Sequence, residues 1–547
     1  MIVLEKKVEG HYFMAVIRKK NHKMKLILIE NIWISLFLSV LGFQLIAQDC
    51  PSGDQFFSSQ EKIDDFIIEY PTCKVLDGDV FIGGSLIENI DALSNIEIIE
   101  GLLVIDFTID LINTSGFSSL SEINGGLEII ENFKLENIEE ITQVDKLQGD
   151  ITISQNRNLK RLIGFESDNE LDIVTILENE NLDTIDAFHN VKNVNGSITV
   201  SNNDKLLRCN IFNNLDSVDE LFVRVNSNLE TLDGFDKLEV VENQLNILSN
   251  NNLNSIPSFN NLVKCGSFTM SDFKGLFING FNSLEEVRND VFFQSCSSLE
   301  IIGFNKLEKA DRLVFQGNRQ IQKIAGFNLI DSVNSLTLTA VNDLEELNAF
   351  NSLESIETTL QISEASKLDD LLNFESITSI KQLFLTTGVF DIPNNFNDLS
   401  PFEQLDIDYL EEMYLFHCIN LQACSYDFIC DFLEKPDVEF GFGSNASGCN
   451  SAEEILAACN MVSTSEQSFF TDKIHIVPNP VNNQLLVDIP EELEVIAWNI
   501  YSVQGRSVLR GNELSKPIDV SLFENGIYFL NLELNRGNLV KKVIVTR

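Results

Sequence analysis

Side chains suited to catalysis are scarce in this chain. Of its 547 residues five are His, and only His189, His417 and His475 lie beyond residue 48. His189 falls in Ala187-Phe188-His189-Asn190, the setting of a turn residue rather than a base. His417 precedes Cys418, and a thiol beside an imidazole can make a nucleophile. Adjacent strand residues point to opposite faces, however, so the two side chains are not expected to meet. Paired carboxylates could serve glycoside hydrolysis, but among 83 Asp plus Glu such pairs arise freely. The sequence has no Gly-x-Ser-x-Gly elbow, no His-Glu-x-x-His helix and no phosphate loop. The densest acidic set is Glu403, Asp406, Asp408, Glu411 and Glu412. Asp406 and Asp408 are expected on one side of a strand, which with Glu411 makes a weak calcium candidate, though no Asp-x-Asp-x-Asp-Gly loop is present. No catalytic residue and no cofactor is expected.

Binding chemistry is better represented. The stretches Ile151-Thr-Ile153, Val174-Thr-Ile176, Ile198-Thr-Val200, Leu221-Phe-Val223 and Leu245-Asn-Ile247 alternate with period 2, the mark of short strands with one face inward. Their outward positions predict one exposed column, Thr152, Thr175, Thr199, Phe222, Asn246 and Thr269. A neighbouring column would hold Ser154, Leu177, Ser201, Arg224, Leu248 and Ser271. Most of this is ordinary sheet surface. Phe222 with Arg224 breaks the pattern, and such residue types are enriched at binding hot spots. These two are the candidate ligand-binding residues.

The elements that would carry that column repeat. Phe165, Phe188, Phe212, Phe235, Phe259, Phe281, Phe304, Phe327, Phe350 and Phe374 recur at steps of 22 to 24 residues, the period of stacked coils. Asn132, Asn156, Asn179, Asn203, Asn226, Asn250, Asn318 and Asn342 follow the strand boxes. Asn tolerates left-handed backbone angles, and its amide can bond loop backbone that has no strand partner. About fifteen boxes run from Val80 to Phe416, which predicts a mostly β fold, a solenoid of parallel strands rising ~4.8 Å per coil. An enzyme on such a scaffold should show a local break where polar residues converge, and the sequence reads as regular from coil to coil.

Charge narrows the partners. The net charge is −45, and residues 49–470 hold 23 basic against 71 acidic residues. Nucleic acid, whose binding needs Lys and Arg clusters, is an unlikely partner on this balance. An acidic membrane surface is equally disfavoured, while cations or basic proteins would be attracted. The acidic surface also keeps a repeat protein soluble.

Along the chain, residues 1–48 carry a basic start and then an uncharged run from Asn31 to Gln48 ending Leu45-Ile46-Ala47-Gln48. This has the layout of a signal peptide; the rival is a membrane anchor. Residues 1–23 fit an upstream start-site error. Beyond the leader no transmembrane segment is expected. Residues 49–77 form an N-terminal cap, where Cys50 and Cys73 flank a short helical pattern from Ser59 to Tyr70. The solenoid spans 78–417, and a disulfide cap spans 418–460 with Cys424, Cys430, Cys449 and Cys459. Three pairings of these four are possible, and zinc is the rival reading. Cys209, Cys265, Cys296 and Cys418 are expected as free core thiols. A Ser/Thr/Gln-rich linker covers 461–472. Seven short alternating segments then fill 473–547, the pattern of an immunoglobulin-sized antiparallel β-sandwich.

Two resemblances follow from these residues. The N-terminal cap, the boxes with Asn, the Gly-Phe turns and the Cys424–Cys459 pattern resemble the receptor L-domain branch of leucine-rich-repeat proteins over roughly residues 50–460. That implies a right-handed β-solenoid, a binding role and no catalytic residue. The tail resembles the type A C-terminal sorting domain of the type IX secretion system. The matching pieces are Val477-Pro478-Asn479-Pro480, Ile500 to Gly505-Arg506, Leu522 to Gly526-Ile-Tyr528, and the closing stretch from Lys541 and Lys542. This implies recognition by outer-membrane export machinery. The combined expectation is a secreted or cell-surface protein that binds a protein or glycan. A carbohydrate-active solenoid enzyme and a structural spacer without a discrete site are the alternatives.

Overall fold

A computed structural model describes residues 50–459 except 257–258, 388–391 and 422. It also describes 474–546 except 491–493, 503–505, 513, 515 and 535–536. In the N-terminal segment it describes two short strands, Lys6–Val8 and His11–Phe13, which pair antiparallel. The rest of the leader, Gly505 and the linker 461–472 lie outside the described residues.

One sheet organises residues 50–459. Seventeen successive coils supply its parallel strands, from Gln55–Phe57 to Glu439–Gly443, one coil giving both Glu286–Val287 and Asp290–Gln294. Each strand pairs with the next coil, and no pairing joins the first to the last. The sheet is therefore open, a solenoid rather than a barrel. Fifteen of these coils place their strands between Val80 and Phe416. The other two, Gln55–Phe57 and Glu439–Gly443, come from the flanking cap segments. A second, shorter ladder lies across the coil: Arg161–Gly164, Thr184–Ala187, Arg208–Ile211 and Thr231–Asp233 pair in register, and four more strands continue the pattern from Phe277 to Ala349.

The core lies between the ladders. One coil illustrates it: Val218, Leu221, Val223, Leu229, Leu232, Phe235, Leu238 and Val241 are all buried. The ten phenylalanines of the column are fully buried, and Phe402 extends it. Successive rings stack 4.8 to 6.2 Å apart at Phe165–Phe188, Phe188–Phe212, Phe235–Phe259, Phe259–Phe281, Phe281–Phe304, Phe304–Phe327, Phe350–Phe374 and Phe374–Phe402. At each such corner the chain turns sharply. At several of them either the Phe itself takes a left-handed conformation (Phe188 φ 63°) or the preceding glycine takes positive φ, as Gly234 does at 104°, while Phe374 and Phe402 end short 3-10 turns. A Cβ on Gly234 would lie against the Ile211 carbonyl, so only glycine fits there.

The opposite corner belongs to the asparagines, with two corrections. The left-handed residue is the one before the Asn (Glu131, Gln155, Glu178, Asn202, Val225, Ser249), not the Asn itself. That turn drops the Asn side chain under the sheet. Its amide then donates to a carbonyl of the preceding coil and accepts from that coil's Asn. Asn226 Nδ2 bonds Val200 O (3.0 Å) and Asn250 Oδ1 (3.3 Å), while Asn226 Oδ1 accepts from Asn203 N (3.1 Å) and Nδ2 (3.3 Å). Buried backbone groups at a bend, which no strand can satisfy, find partners this way. The second correction concerns Asn342, which is displaced by one: buried Val341 takes the inward place and Asn342 Nδ2 is buried without a hydrogen-bond partner. Asn394 and Asn445 join the ladder instead, accepting from Ala365 N (3.1 Å) and Cys418 N (2.9 Å). Cys296 and Cys418 stand in for Asn in their coils. Their thiols donate to Met270 O and Leu385 O at 3.7 Å, the carbonyls an Asn would take.

Caps close both ends. Helix Gln60–Glu69 starts at Ser59, whose hydroxyl accepts from Lys62 N, and buries Ile63 and Phe66. A disulfide joins Cys50 to Cys73. At the other end Asp427–Glu434 buries Phe428, Ile429 and Phe432. Of the three possible pairings the structure has Cys424–Cys449 and Cys430–Cys459. Cys209, Cys265, Cys296 and Cys418 are free and buried.

Residues 474–546 form two antiparallel sheets over a separate core. His475–Val477, Gln484–Asp488 and Ile518–Asp519 make one; Ser507–Gly511, Val495–Ser502, Gly526–Leu534 and Gly537–Val545 make the other. Ile474, Leu485, Trp498, Ile500, Leu530, Leu532 and Val543 fill the space between.

Candidate functional site

The strand register places both outward columns as the alternation required, but Ser154 and Asn246 are buried rather than exposed. Thr152, Thr175, Thr199, Phe222, Asn246 and Thr269 are cross-strand neighbours in series, and so are Ser154, Leu177, Ser201, Arg224, Leu248 and Ser271. The first column continues through Phe292, Val314, Thr337, Gln361, Phe384 and Tyr414.

Phe222 and Arg224 come together. The guanidinium carbon lies 3.9 Å from the Phe222 ring centroid, a cation–π stack. Such a contact contributes about 0.5–2 kcal/mol. Arg224 Nε is buried without a hydrogen-bond partner, and among the described residues no carboxylate pairs with the group. Burial lowers its pKa from the ordinary value, and nearby Glu220 partly offsets that. Most solenoid cations are used differently: Arg312 is clamped by Asp290 (2.6 and 2.5 Å), and Lys160 by Glu136 (2.7 Å). Arg224 instead lies over a ring, with its Nε buried and without a hydrogen-bond partner.

Sequence reasoning missed the neighbouring groove. Gln244, Asn246, Ser267, Thr269, Asp290, Phe292, Arg312 and Val314 line a depression of about 480 Å³ on this face. Its signal was available, since Phe292 follows Thr269 in the outward column. At the start of that column Phe56 and Phe81 stack at 4.8 Å. At its far end Tyr414 and Phe416 pack over Gly441, where a Cβ would collide with Tyr414.

The other candidates fall apart or change character. Asp406 and Asp408 lie in a turn, not on a strand face. Asp406 Oδ1 accepts from Asp408 N (3.0 Å), while Glu411 pairs with Lys381 (3.2 Å), so these two carboxylates serve different partners. Among the described residues no group of three or more His, Cys, Asp or Glu is arranged to hold a metal. His417 is a left-handed turn residue after the strand rather than on it. Burial raises the Cys418 thiol to about 12, which opposes nucleophilic use. His189 occupies a turn, its Nε2 3.0 Å from Asp186 Oδ1.

The expected regularity also fails at one place. From Thr386 to Asn394 the chain takes eight residues to reach its ladder Asn, where Ser154 to Asn156 takes two. On the preceding coils Arg319 pairs with Glu364 (3.7 Å), a carboxylate 1% exposed, and Ser363 is buried beside it.

In the tail, Asn479 explains its own motif. Its amide donates to Lys542 O (2.7 Å) and accepts from Ile544 N (2.8 Å), and Val481 N bonds Ile544 O (2.7 Å). The segment Pro478-Asn479-Pro480 thereby anchors the final strand without itself being a strand. Lys541 and Lys542 stand on that strand opposite Leu530 and Phe529. Gly526 opens the strand that pairs with it, and Tyr528 Oη donates to Glu524 O (3.1 Å).

The molecule thus joins a parallel β-solenoid, which offers a long outward sheet face, to a small antiparallel unit built around Asn479. Residues 475–546 match the family model of the secretion system C-terminal sorting domain. Such type IX domains mark proteins secreted and attached to the cell surface in Bacteroidetes, so the protein is an exported one. Among the described residues no helix is long and apolar enough to cross a membrane. The chain is also similar to Beta-agarase D of Zobellia galactanivorans, 32% identical over 101 residues, which cover 18% of this chain and 20% of that protein. It therefore spans about a fifth of the length of that curated relative.

Proposed function

We propose that this exported protein binds a ligand, protein or glycan, on the outward face of its solenoid sheet, delivered there by type IX machinery that reads the tail. The observation that carries the reading is Arg224, stacked on Phe222 and left without a carboxylate partner in a strongly acidic chain. The likeness of residues 50–460 to receptor L-domains supports it. Glycan arrays and cell-surface pull-downs with the full secreted chain test it. Phe222→Ala should weaken whatever binding is found by about tenfold, the scale of a hot-spot residue. Retained binding in that variant eliminates the site.

A second reading, a carbohydrate-active enzyme, is favoured by the break after Thr386 and by the similarity to an agarase. Glu364 is its candidate acid, held beside Arg319. Release of reducing ends from agarose that disappears in Glu364→Gln would favour it; no release by the parent chain removes it. A spacer role is left if both assays are blank.

A further inference from the structure

Resting on the reading of the sheet face as the binding surface, we infer that its ligand is a neutral linear polysaccharide, lying along the stack from Phe222 across the depression that holds Phe292. Three observations converge on that chemistry. The first is spacing. Phe222, Asn246, Thr269 and Phe292 are successive cross-strand neighbours. The two rings therefore stand three strand spacings apart, ~14 Å, a span covered by about three pyranose rings. Sugars present an apolar C–H face that covers an aromatic ring well, and aromatic posts with a few placed polar groups are the usual make-up of small-molecule sites.

The second is the floor between the posts. Thr269, Ser267 and Gln244 line it with hydroxyls and an amide, while Asn246 is 8% exposed and donates to Gln244 Oε1 (3.2 Å). Such groups both donate and accept, as sugar hydroxyls do. A peptide strand would instead want an unpaired backbone edge, and here each strand's backbone already pairs on both sides.

The third is charge. The solenoid is strongly acidic, yet the one acid and the one base that line the depression neutralise each other, Arg312 bonding Asp290 at 2.6 and 2.5 Å. A polyanion approaching this face would be repelled by the rest of the chain, and a basic protein would find no spare carboxylate in the trough. A neutral chain meets neither obstacle.

The test is calorimetric titration of the full secreted chain with neutral hexasaccharides of β-glucan, mannan, xylan and agarose, beside an alginate hexasaccharide. Binding of a neutral probe, weakened at least tenfold by Phe292→Ala and largely restored by Phe292→Tyr, is the expected result. Phe292 is partly exposed, so the variant should melt with the parent; Thr269→Val, which keeps shape and removes a hydroxyl, gives a second readout. Silence from every neutral probe, preference for alginate, or indifference to Phe292→Ala overturns the inference. A protein captured by the parent and lost in Phe222→Ala, with no sugar bound, overturns the glycan while leaving the sheet face as the binding surface.

Discussion

Replacing Asn226 by Ala tests the corner ladder directly. In the native coil its oxygen accepts from Asn203 N and Nδ2, and its amide nitrogen donates to Val200 O and Asn250 Oδ1. All these groups are buried. Truncation orphans at least the Asn203 N–H and the Val200 carbonyl, at ~1–3 kcal/mol each. Side chains on either side of the gap cannot relax far, because Asn203 Nδ2 also donates to Ile176 O and Asn250 Nδ2 to Val223 O. The expected loss is about 3–5 kcal/mol, read as a lower urea midpoint with an unchanged slope. The molecule supplies its own control. At Cys296 and Cys418 a thiol takes the Asn place and still donates to the preceding coil's carbonyl. Asn226→Cys should therefore recover part of the loss, and Asn226→Leu, which fills space but bonds nothing, should not. If Ala, Cys and Leu variants all unfold within ~0.5 kcal/mol of the parent, the ladder is not what holds the corner.

Further perturbations separate the remaining contributions. Phe235→Ala should cost about 3–5 kcal/mol, since the ring is fully buried and stacked 5.3 Å from Phe259; parent-like melting would contradict the column. Removing the Cys50–Cys73 bond as a double Ser variant opens a 23-residue loop and should lower stability by ~3 kcal/mol, measurable by thermal melting. Asp398 gives a pH signature. Burial alone would raise its pKa, but Tyr426 Oη (2.6 Å) and Ser400 Oγ (2.7 Å) hold it below the ordinary value. Its contribution is thus complete above pH ~4 and lost as pH falls further. Asp398→Asn should flatten the parent's loss of melting temperature across that acid range. In the tail, Asn479→Ala frees Lys542 O and Ile544 N and should leave the protein inside the cell, scored by immunoblot of medium and cell fractions.

Much of this protein was written in one dimension. A period of 22 to 24 residues can only be satisfied by stacking, so the Phe column, the strand boxes and the outward register of Phe222 and Arg224 followed from spacing. The tail's order of short segments and its Val477-Pro478-Asn479-Pro480 start were equally legible, because hydrophobic alternation is local. What the sequence could not decide depended on corners and on insertions. Whether Asn226 or Val225 takes the left-handed angle is settled by which side chain can reach a carbonyl one coil away. Asn342 was misplaced by one residue because Val341 fills the inward site as well as an amide does sterically. Asp406 and Asp408 were read as strand residues because alternation over three positions does not distinguish a turn. The longer path from Thr386 to Asn394 hid the convergence of Arg319, Ser363 and Glu364, which are up to 45 residues apart and meet only because successive coils superpose. Cysteine pairing at the exit cap was likewise open until the helix Asp427–Glu434 fixed which sulfurs face each other. The repeat is determined by burial, which every coil can express alone. The trough beside Phe292 belongs to the stack, since its floor takes residues from several coils and exists only once they lie side by side.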